Sequence, residues 1–279
     1  MEKLLTKIII FLMGITLSTT SFNFTDNNEV EKKRSTPNIT VEEKIQNDNH
    51  QIRRSGIVQK ESITSTTGWW SYPTDIKLTK RNGDDLLVLV NKEYRLSESY
   101  VPSGLVSASL SGIRRGGSYL LRNIVIDDLR NLVNQATSDG VDLSIRSGYR
   151  SYQDQLSTYN YWLKYNGNNA DYADRVSARA GHSQHQLGTA IDFSTSEIQD
   201  GIGGQFAPTK AAKWLEENAY KYGFVISFPR GYESVTGYNY ESWHYRYIGK
   251  ANAQEMINSG KILEIILERR IKKSLHKKL

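Results

Sequence analysis

The stretch GHSQHQLGTAIDF (residues 181–193) constrains this chain more than any other segment. It places two histidines and an aspartate among small and apolar residues, although the chain has only 5 histidines in 279 residues. Residues 189–194 have the composition of a short buried strand, in which an unpartnered carboxylate is costly. Asp192 and His185 are therefore candidates for a shared site, because Gly188 permits a turn that brings their side chains together.

A second segment, YESWHYRY (residues 240–247), supplies further candidates in a strand-like run of aromatic residues. His185, Asp192 and His244 would hold a zinc ion tetrahedrally with the fourth position open, the pattern of a catalytic site. The chain has no cysteine, so a metal here must be held by histidine or carboxylate side chains. Glu241 would then be a carboxylate beside the metal, in the position of a general base.

Each candidate also has an ordinary structural interpretation. His244 would pack among its aromatic neighbours, and His182 is a rival ligand because it lies three positions before His185. The segment RSGYRSYQDQ (residues 146–155) places Arg150 at the end of a predicted strand. There a fixed guanidinium would polarise a peptide carbonyl, and a simple ion pair is the alternative role. The conjunction of these residues favours the catalytic interpretation.

Helical and strand patterns alternate irregularly along the chain. Periodicity and end signals predict helices over residues 119–140, 151–167 and 208–223. Alternating or apolar runs predict strands over residues 141–149, 189–194, 224–228 and 243–249, and residues 84–96 open with a buried apolar run. No regular βαβ repeat emerges, so the predicted class is α+β, with a small antiparallel sheet that is flanked by helices and carries the zinc site.

The N-terminal region predicts export. Residues 1–22 carry two lysines ahead of an apolar run and end in small polar residues, the layout of a secretory signal. The apolar run, residues 8–17, is short for a membrane span, which needs about 20 apolar residues. We expect a signal peptide or an uncleaved anchor, with the protein at the extracellular face of the envelope. Residues 23–68 are polar and predict a flexible linker, and residues 69–267 form the predicted catalytic domain.

The formal net charge of +6 is concentrated in the predicted basic tail, residues 268–279, where six basic residues follow Glu268 without another acid. Such a tail would contact anionic wall polymer or membrane headgroups. The alternative is a solvated helix end whose lysines complement the helix dipole. No interleaving of basic and aromatic residues accompanies the tail, so we expect no nucleic-acid partner. We expect a monomer.

Three segments resemble the VanY-like D-alanyl-D-alanine carboxypeptidases. SQHQLGTAID is similar to their S-x-H-x-x-G-x-A-x-D pattern, ESWHYRY to their E-x-W-H-x-R-Y segment, and SGYRSYQDQ to their S-G-Y-R-S-x-x-x-Q segment. The resemblance covers residues 84–267 in matching order and spacing. It implies a zinc peptidase with the fold shared by this group and the D-Ala-D-Ala dipeptidases, acting on peptidoglycan stem peptides.

The resemblance also implies a role for each matched position. His185, Asp192 and His244 fall on the family's zinc ligands. Glu241 falls on its catalytic base, and Arg150 on its carbonyl-polarising arginine.

Substrate contacts are implied in the same way for Gln155 and Ser183. Tyr149 and Trp243 are candidates for the pocket lining, with packing inside the protein as the alternative for both. One departure is visible, because Gln184 stands where relatives usually have glutamate. That position is not a ligand position, so the departure affects the local charge and leaves the metal site intact.

The resulting prediction is a zinc-dependent carboxypeptidase that removes a terminal D-alanine from peptidoglycan stem peptides, with D-Ala-D-Ala cleavage favoured. An L,D-carboxypeptidase acting on the tetrapeptide stem is the first alternative. A non-catalytic wall-binding module is the second, although it would need neither Glu241 nor Arg150. An endopeptidase that cuts cross-bridges is the weakest alternative.

Overall fold

The computed structural model describes residues 72–79 and 82–276. Within them the strands are β1 (Lys77–Leu78), β2 (Tyr94–Arg95), β3 (Leu105–Ser107), β4 (Leu120–Arg122), β5 (Ser144–Ser147), β6 (Ala190–Ser194), β7 (Phe224–Ile226) and β8 (His244–Tyr247). The helices are α1 (Asn123–Ser138), α2 (Tyr152–Tyr165), α3 (Ala170–Val176), α4 (Lys210–Asn218), α5 (Glu233–Thr236), α6 (Lys250–Ser259) and α7 (Leu263–His276). This mixture confirms the predicted α+β class.

The sheet that matters for function is antiparallel and has the strand order β5-β6-β8-β7. β3 and β4 form a separate antiparallel pair, and the short β1 and β2 form a parallel pair. The prediction of a small antiparallel sheet is therefore confirmed.

The two faces of this sheet have different surroundings because side chains alternate along each strand. Ile191, Phe193 and Tyr245 point into the main hydrophobic core, which buries residues of α1 and α4 as well. Asp192 and His244 lie on the opposite face and are directly opposed across β6 and β8. The core packing therefore fixes which residues the other face presents.

The predicted helix over residues 119–140 was wrong at its start. Leu120–Arg122 pairs with Leu105–Ser107 as a strand, and the helix begins only at Asn123. Leu121 is fully buried in this strand. The apolar residues here are therefore buried by strand pairing with a distant segment, and not by an extension of the helix. From Asn123 onward the expected helical face is buried in the core.

The apolar run over residues 84–96 is buried, as predicted, but most of it is irregular. Arg246 on β8 holds it by donating from Nη2 to the carbonyls of Leu86, at 2.9 Å, and Val88, at 2.7 Å. Leu89 packs with Leu263 in a second hydrophobic cluster beside α6 and α7. This segment therefore packs beside the four-stranded sheet without adding a strand to it.

Residues 1–22 and 23–68 lie outside the described residues, as does the predicted domain start at 69. In the part of the chain that is described, no helix is both long and apolar enough to cross a bilayer. Residues 268–276 of the predicted tail continue α7, and Ile271 is buried in the second hydrophobic cluster.

Candidate active site

Three metal-ligating side chains meet where β6 and β8 pair. His185, Asp192 and His244 are buried, and their ligand atoms all lie within 4.8 Å of one another. Asp192 Oδ2 is 3.2 Å from His185 Nε2, and Asp192 Oδ1 is 3.0 Å from His244 Nδ1. The structure therefore brings together all three residues that the sequence predicted as zinc ligands.

Strand register and one tight turn place these side chains. Asp192 and His244 are Cα partners on neighbouring strands, so their side chains leave the same face of the sheet. His185 lies in a 3₁₀ turn, Gln184–Leu187, where the Ser183 hydroxyl accepts a hydrogen bond from the His185 backbone N–H. Gly188 ends the turn at φ +67°, a conformation that favours glycine, and the chain then enters β6.

The orientation of His185 is set by Gly148. His185 Nδ1 donates to the Gly148 carbonyl at 2.7 Å, which leaves the Nε2 lone pair facing Asp192. A Cβ at position 148 would lie 2.6 Å from the backbone oxygen of Leu120, so only glycine lets these segments approach. Burial lowers the pKa of His185 against the opposing attraction of Asp192, and the imidazole is neutral as a metal ligand must be.

His244 is oriented by Gln184, the residue that departs from the family pattern and that was expected to change only the local charge. Its Nε2 lies 3.2 Å from Gln184 Oε1, and the Ser227 hydroxyl donates to the same oxygen at 2.7 Å. Since an amide oxygen only accepts, Nε2 carries the proton and the Nδ1 lone pair faces Asp192. The departure from the family pattern at position 184 was the one sequence signal for this contact.

The electrostatics of the cluster suit a divalent cation. Burial alone would raise the pKa of Asp192, but the His185 and His244 imidazoles hold it well below its usual range. The cluster is therefore a buried carboxylate and two imidazole nitrogens that converge within one buried site. These are ligand types that zinc takes in open, three-ligand sites.

Glu241 lies beside the cluster without belonging to it. Its Oε2 is 3.7 Å from His244 Nδ1, and its side chain is only 14% exposed. Burial, reinforced by the nearby charge of Asp192 and opposed by Arg150, raises the pKa of Glu241 well above its usual range. A carboxyl group whose proton affinity is raised in this way is suited to taking up a proton and passing it on.

Arg150 is held in a fixed orientation. Its Nη1 donates to Gln155 Oε1 at 2.8 Å, and its Nη2 donates to the Ser147 hydroxyl at 2.9 Å. Gln155 is buried and donates in turn to the carbonyl of Ala178 at 2.6 Å. In this structure Gln155 positions the guanidinium, and its direct contact with substrate stays a prediction.

These groups line one cavity of about 650 Å³, within the size range of small-ligand sites. Its lining includes eight of the nine predicted site residues: Arg150, Gln155, Ser183, His185, Asp192, Glu241, Trp243 and His244. Tyr149 is not part of the lining, and its backbone N–H donates to the Leu120 carbonyl. The substrate contacts of Ser183, Trp243 and Tyr149 stay predictions.

His182 also lines the cavity but is not part of the metal-ligating cluster. Its Nδ1 lies 2.7 Å from the Asn91 carbonyl, and its ring packs edge-on against Tyr72. Burial lowers the pKa of His182 to about 4. This histidine is a satisfied neutral side chain, which removes it as the rival ligand.

Comparison with known proteins agrees with this geometry. The family model described as VanY, D-alanyl-D-alanine carboxypeptidase, matches residues 118–250. The bifunctional D-Ala-D-Ala dipeptidase and carboxypeptidase VanXYC of Enterococcus gallinarum is 32% identical over 170 residues, which are 60% of this chain and 86% of that protein. The chain belongs to the VanY family. YodJ of Bacillus subtilis (strain 168), a carboxypeptidase by name, is 35% identical over 193 residues, covering 68% of this chain and 70% of that protein.

Solved structures extend the match to the VanY fold. The LdcB LD-carboxypeptidase superposes with a TM-score of 0.62 at 30% identity, covering 77% of this chain and 95% of LdcB. A VanY D,D-pentapeptidase mutant in complex with Zn(II) superposes with a TM-score of 0.55 at 28% identity, covering 65% of this chain and 98% of that one. The predicted class of enzyme, a zinc-dependent carboxypeptidase of peptidoglycan stem peptides, is confirmed for this VanY-family chain.

Proposed function

We propose that His185, Asp192 and His244 hold the catalytic zinc of this VanY-family enzyme on the open face of the sheet. The observation that carries the proposal is the convergence of their ligand atoms within 4.8 Å in a buried cluster. When bound, zinc lowers the pKa of a coordinated water and withdraws electrons from a peptide carbonyl.

Glu241 and Arg150 supply the remaining chemistry. Glu241 accepts a proton as water attacks the scissile carbonyl, and then delivers it to the departing amine of D-alanine. Its raised pKa suits both steps, because the group must bind a proton and release it within one turnover. Arg150, fixed by Gln155 and Ser147, donates hydrogen bonds to the oxygen on which negative charge develops.

The favoured substrate is a stem pentapeptide that ends in D-Ala-D-Ala, as for the relatives named D-alanyl-D-alanine carboxypeptidases. An L,D-carboxypeptidase acting on the tetrapeptide stem is the second candidate. One observation favours it, namely that the LdcB LD-carboxypeptidase superposes with a higher TM-score, 0.62, than the VanY structure, 0.55. A wall-binding module is disfavoured, because Glu241 and the fixed Arg150 have no use in binding alone.

We also propose that the enzyme acts outside the cytoplasmic membrane. The support is the signal-like layout of residues 1–22 and the location of peptidoglycan outside that membrane. The basic residues beyond Glu268 would add a weak attraction to anionic wall polymer or lipid headgroups.

Mass spectrometry of the products tests the proposed reaction. The zinc-loaded full chain is given a stem pentapeptide and a stem tetrapeptide separately, each with and without EDTA. Loss of one alanine from the pentapeptide alone supports D,D-carboxypeptidase activity, and loss from the tetrapeptide alone supports L,D-carboxypeptidase activity. No metal-dependent loss from either would overturn the proposal.

A further inference from the structure

Exposed aromatic rings are concentrated next to the cavity. Across residues 72–79 and 82–276, the aromatic side chains that are more than a third exposed are Tyr161 at 61%, Tyr165 at 70% and Tyr172 at 52%. All three lie on α2 and α3, two consecutive helices. Most aromatic rings in folded proteins are largely buried, so a local group of exposed rings indicates a contact surface.

Two of these rings are held in a defined arrangement. The rings of Tyr161 and Tyr165, one helical turn apart on α2, are stacked with centroids 6.0 Å apart and planes inclined by 22°. Trp162 packs edge-on against both, at centroid distances of 5.4 and 5.6 Å. We call these three side chains the aromatic stripe. Edge-on and offset contacts of this kind fix ring orientation, so the stripe presents preformed apolar faces with hydroxyl groups at the edge.

The aromatic stripe continues the wall of the catalytic cavity. Trp162 lines that cavity together with Thr158 and Gln155, which lie one and two turns earlier on the same side of α2. Tyr161 and Tyr165 are exposed, lie outside the cavity lining and contact Trp162 through their rings. A molecule that enters the cavity and extends outward along α2 therefore meets the stripe.

The reach of the substrate matches this position. Gln155 holds Arg150 at the catalytic end of α2. At about 1.5 Å per residue, Tyr161 and Tyr165 lie about 9 and about 15 Å further along the helix axis. A pentapeptide with its carboxyl end at the metal site extends at most about 17 Å. If the peptide passes beside Gln155 and runs outward along α2, its length is comparable to these offsets, and its other end, which is attached to the glycan strand in the cell wall, would lie near the stripe.

We propose that the aromatic stripe is a saccharide subsite, which binds the sugar attached to the stem peptide while its D-alanine end lies at the metal cluster. Sugar rings have apolar C–H faces and hydroxyl edges, which match the faces and hydroxyl groups of tyrosine. The inference rests on the proposed function, because it takes the stem peptide as substrate. It adds that the enzyme recognises wall-borne or disaccharide-linked peptide in preference to free peptide.

A comparison of two substrates tests the subsite. The full chain, zinc-loaded, is assayed with a free stem pentapeptide and with the same peptide linked to its N-acetylated disaccharide, or with the tetrapeptide pair if that stem is the one cleaved. We expect the wild type to have a several-fold lower KM for the linked peptide. The double variant Y161A/Y165A should lose that preference while its kcat/KM for free peptide stays unchanged.

Leu156→Ala is the matched control, because Leu156 is a side chain on α2 that is 39% exposed and outside the cavity lining. It should leave both KM values unchanged, and circular dichroism should show that all variants fold.

A preference for the linked peptide that survives in Y161A/Y165A, or an equal loss of activity on both substrates, would overturn the subsite. So would a wild-type dimer in size-exclusion chromatography that the double variant converts to monomer, since the stripe would then be an interface between copies. Absence of metal-dependent cleavage of the free peptides by the wild type is a separate result, which would overturn the proposed function itself.

Discussion

Gln184 Oε1 lies 3.2 Å from His244 Nε2, on the side of the imidazole opposite the nitrogen that faces Asp192. Because the same oxygen also accepts a hydrogen bond from Ser227, the amide is fixed before any metal binds. Partners of this kind orient a ligating histidine and select its tautomer. Glutamine provides this acceptor without adding a second negative charge beside Asp192.

Replacing Gln184 tests this relationship. Gln184→Leu removes the acceptor, and we expect zinc affinity to fall about 10-fold or more, while Gln184→Glu should largely restore it. Competition with a chromophoric chelator measures the affinity directly, independently of turnover. Gln186→Leu is the control, since Gln186 is a buried glutamine of the same turn that donates to the Ser97 and Tyr100 carbonyls instead. Unchanged zinc affinity in Q184L would remove the positioning role.

Glu241→Gln separates proton transfer from metal binding. The amide has nearly the same shape but cannot take up the proton, so turnover should fall by about 10²- to 10⁴-fold. Zinc content, measured by atomic absorption, should stay at one ion per chain because Glu241 is not a ligand. Glu217→Gln, at an exposed position on α4, provides the control for loss of a carboxylate. Near-normal turnover in E241Q would exclude Glu241 as the base.

His244→Ala should cost both metal and activity. Truncation removes one of three ligands and leaves Asp192 buried with a single imidazole partner. Zinc per chain after gel filtration is the measurement, and His182→Asn is the matched histidine variant, which we expect to keep its zinc. Stoichiometric zinc in H244A, or loss of zinc in H182N, would require a different ligand set.

Gly148→Ala should disturb both stability and the metal site. The new Cβ would lie 2.6 Å from a backbone oxygen of β4, which cannot move aside as a flexible side chain would. We expect the free energy of unfolding to fall by about 1 to 3 kcal/mol. Zinc binding should also weaken, because the Gly148 carbonyl orients His185. Denaturant unfolding checks the first effect. Gly117→Ala is the control, because its Cβ would meet nothing within 4 Å. Equal stability of the two variants would contradict the steric argument.

We expect His182 to make an acid-sensitive contribution to the stability of the folded protein. Its pKa is about 4 in the folded protein and about 6.5 when unfolded, so the unfolded chain binds more protons between these values. The contribution of neutral His182 to the free energy of unfolding is therefore fully present above about pH 6.5. It is lost as the pH falls toward 4, and the total loss is about 3 kcal/mol. Denaturant unfolding of wild type and His182→Asn at pH 4 to 7 isolates the effect. Parallel stability curves would show that His182 does not titrate in this way.

Local sequence patterns were sufficient to predict much of the fold and of the candidate site. The helical face from Asn123 onward, the strands around Asp192 and His244, and the cluster of three side chains that could hold a metal were all predictable. Period and composition reflect which face of an element is buried, and metal chemistry restricts which side chains can serve as ligands. The family resemblance then implied the same roles for Glu241 and Arg150 and added substrate contacts for Gln155 and Ser183.

Contacts between distant segments were not predictable in this way. Leu120–Arg122 became a strand because it pairs with Leu105–Ser107, and local periodicity contains no information about that partner. The short-range hydrogen bond from Arg150 to Gln155, five positions away, was missed for another reason, because the sequence suggested Gln155 only as a substrate contact.

The sequence by itself determined the chemistry of the site, because ligand types, a nearby carboxylate and an arginine are properties of the residues present. Only the tertiary structure decided how those groups are oriented. The partner atoms of His185 and His244 are a backbone carbonyl 37 positions away and an amide 60 positions away. Such pairs are selected by the packing and register of the whole sheet, which depend on every strand at once.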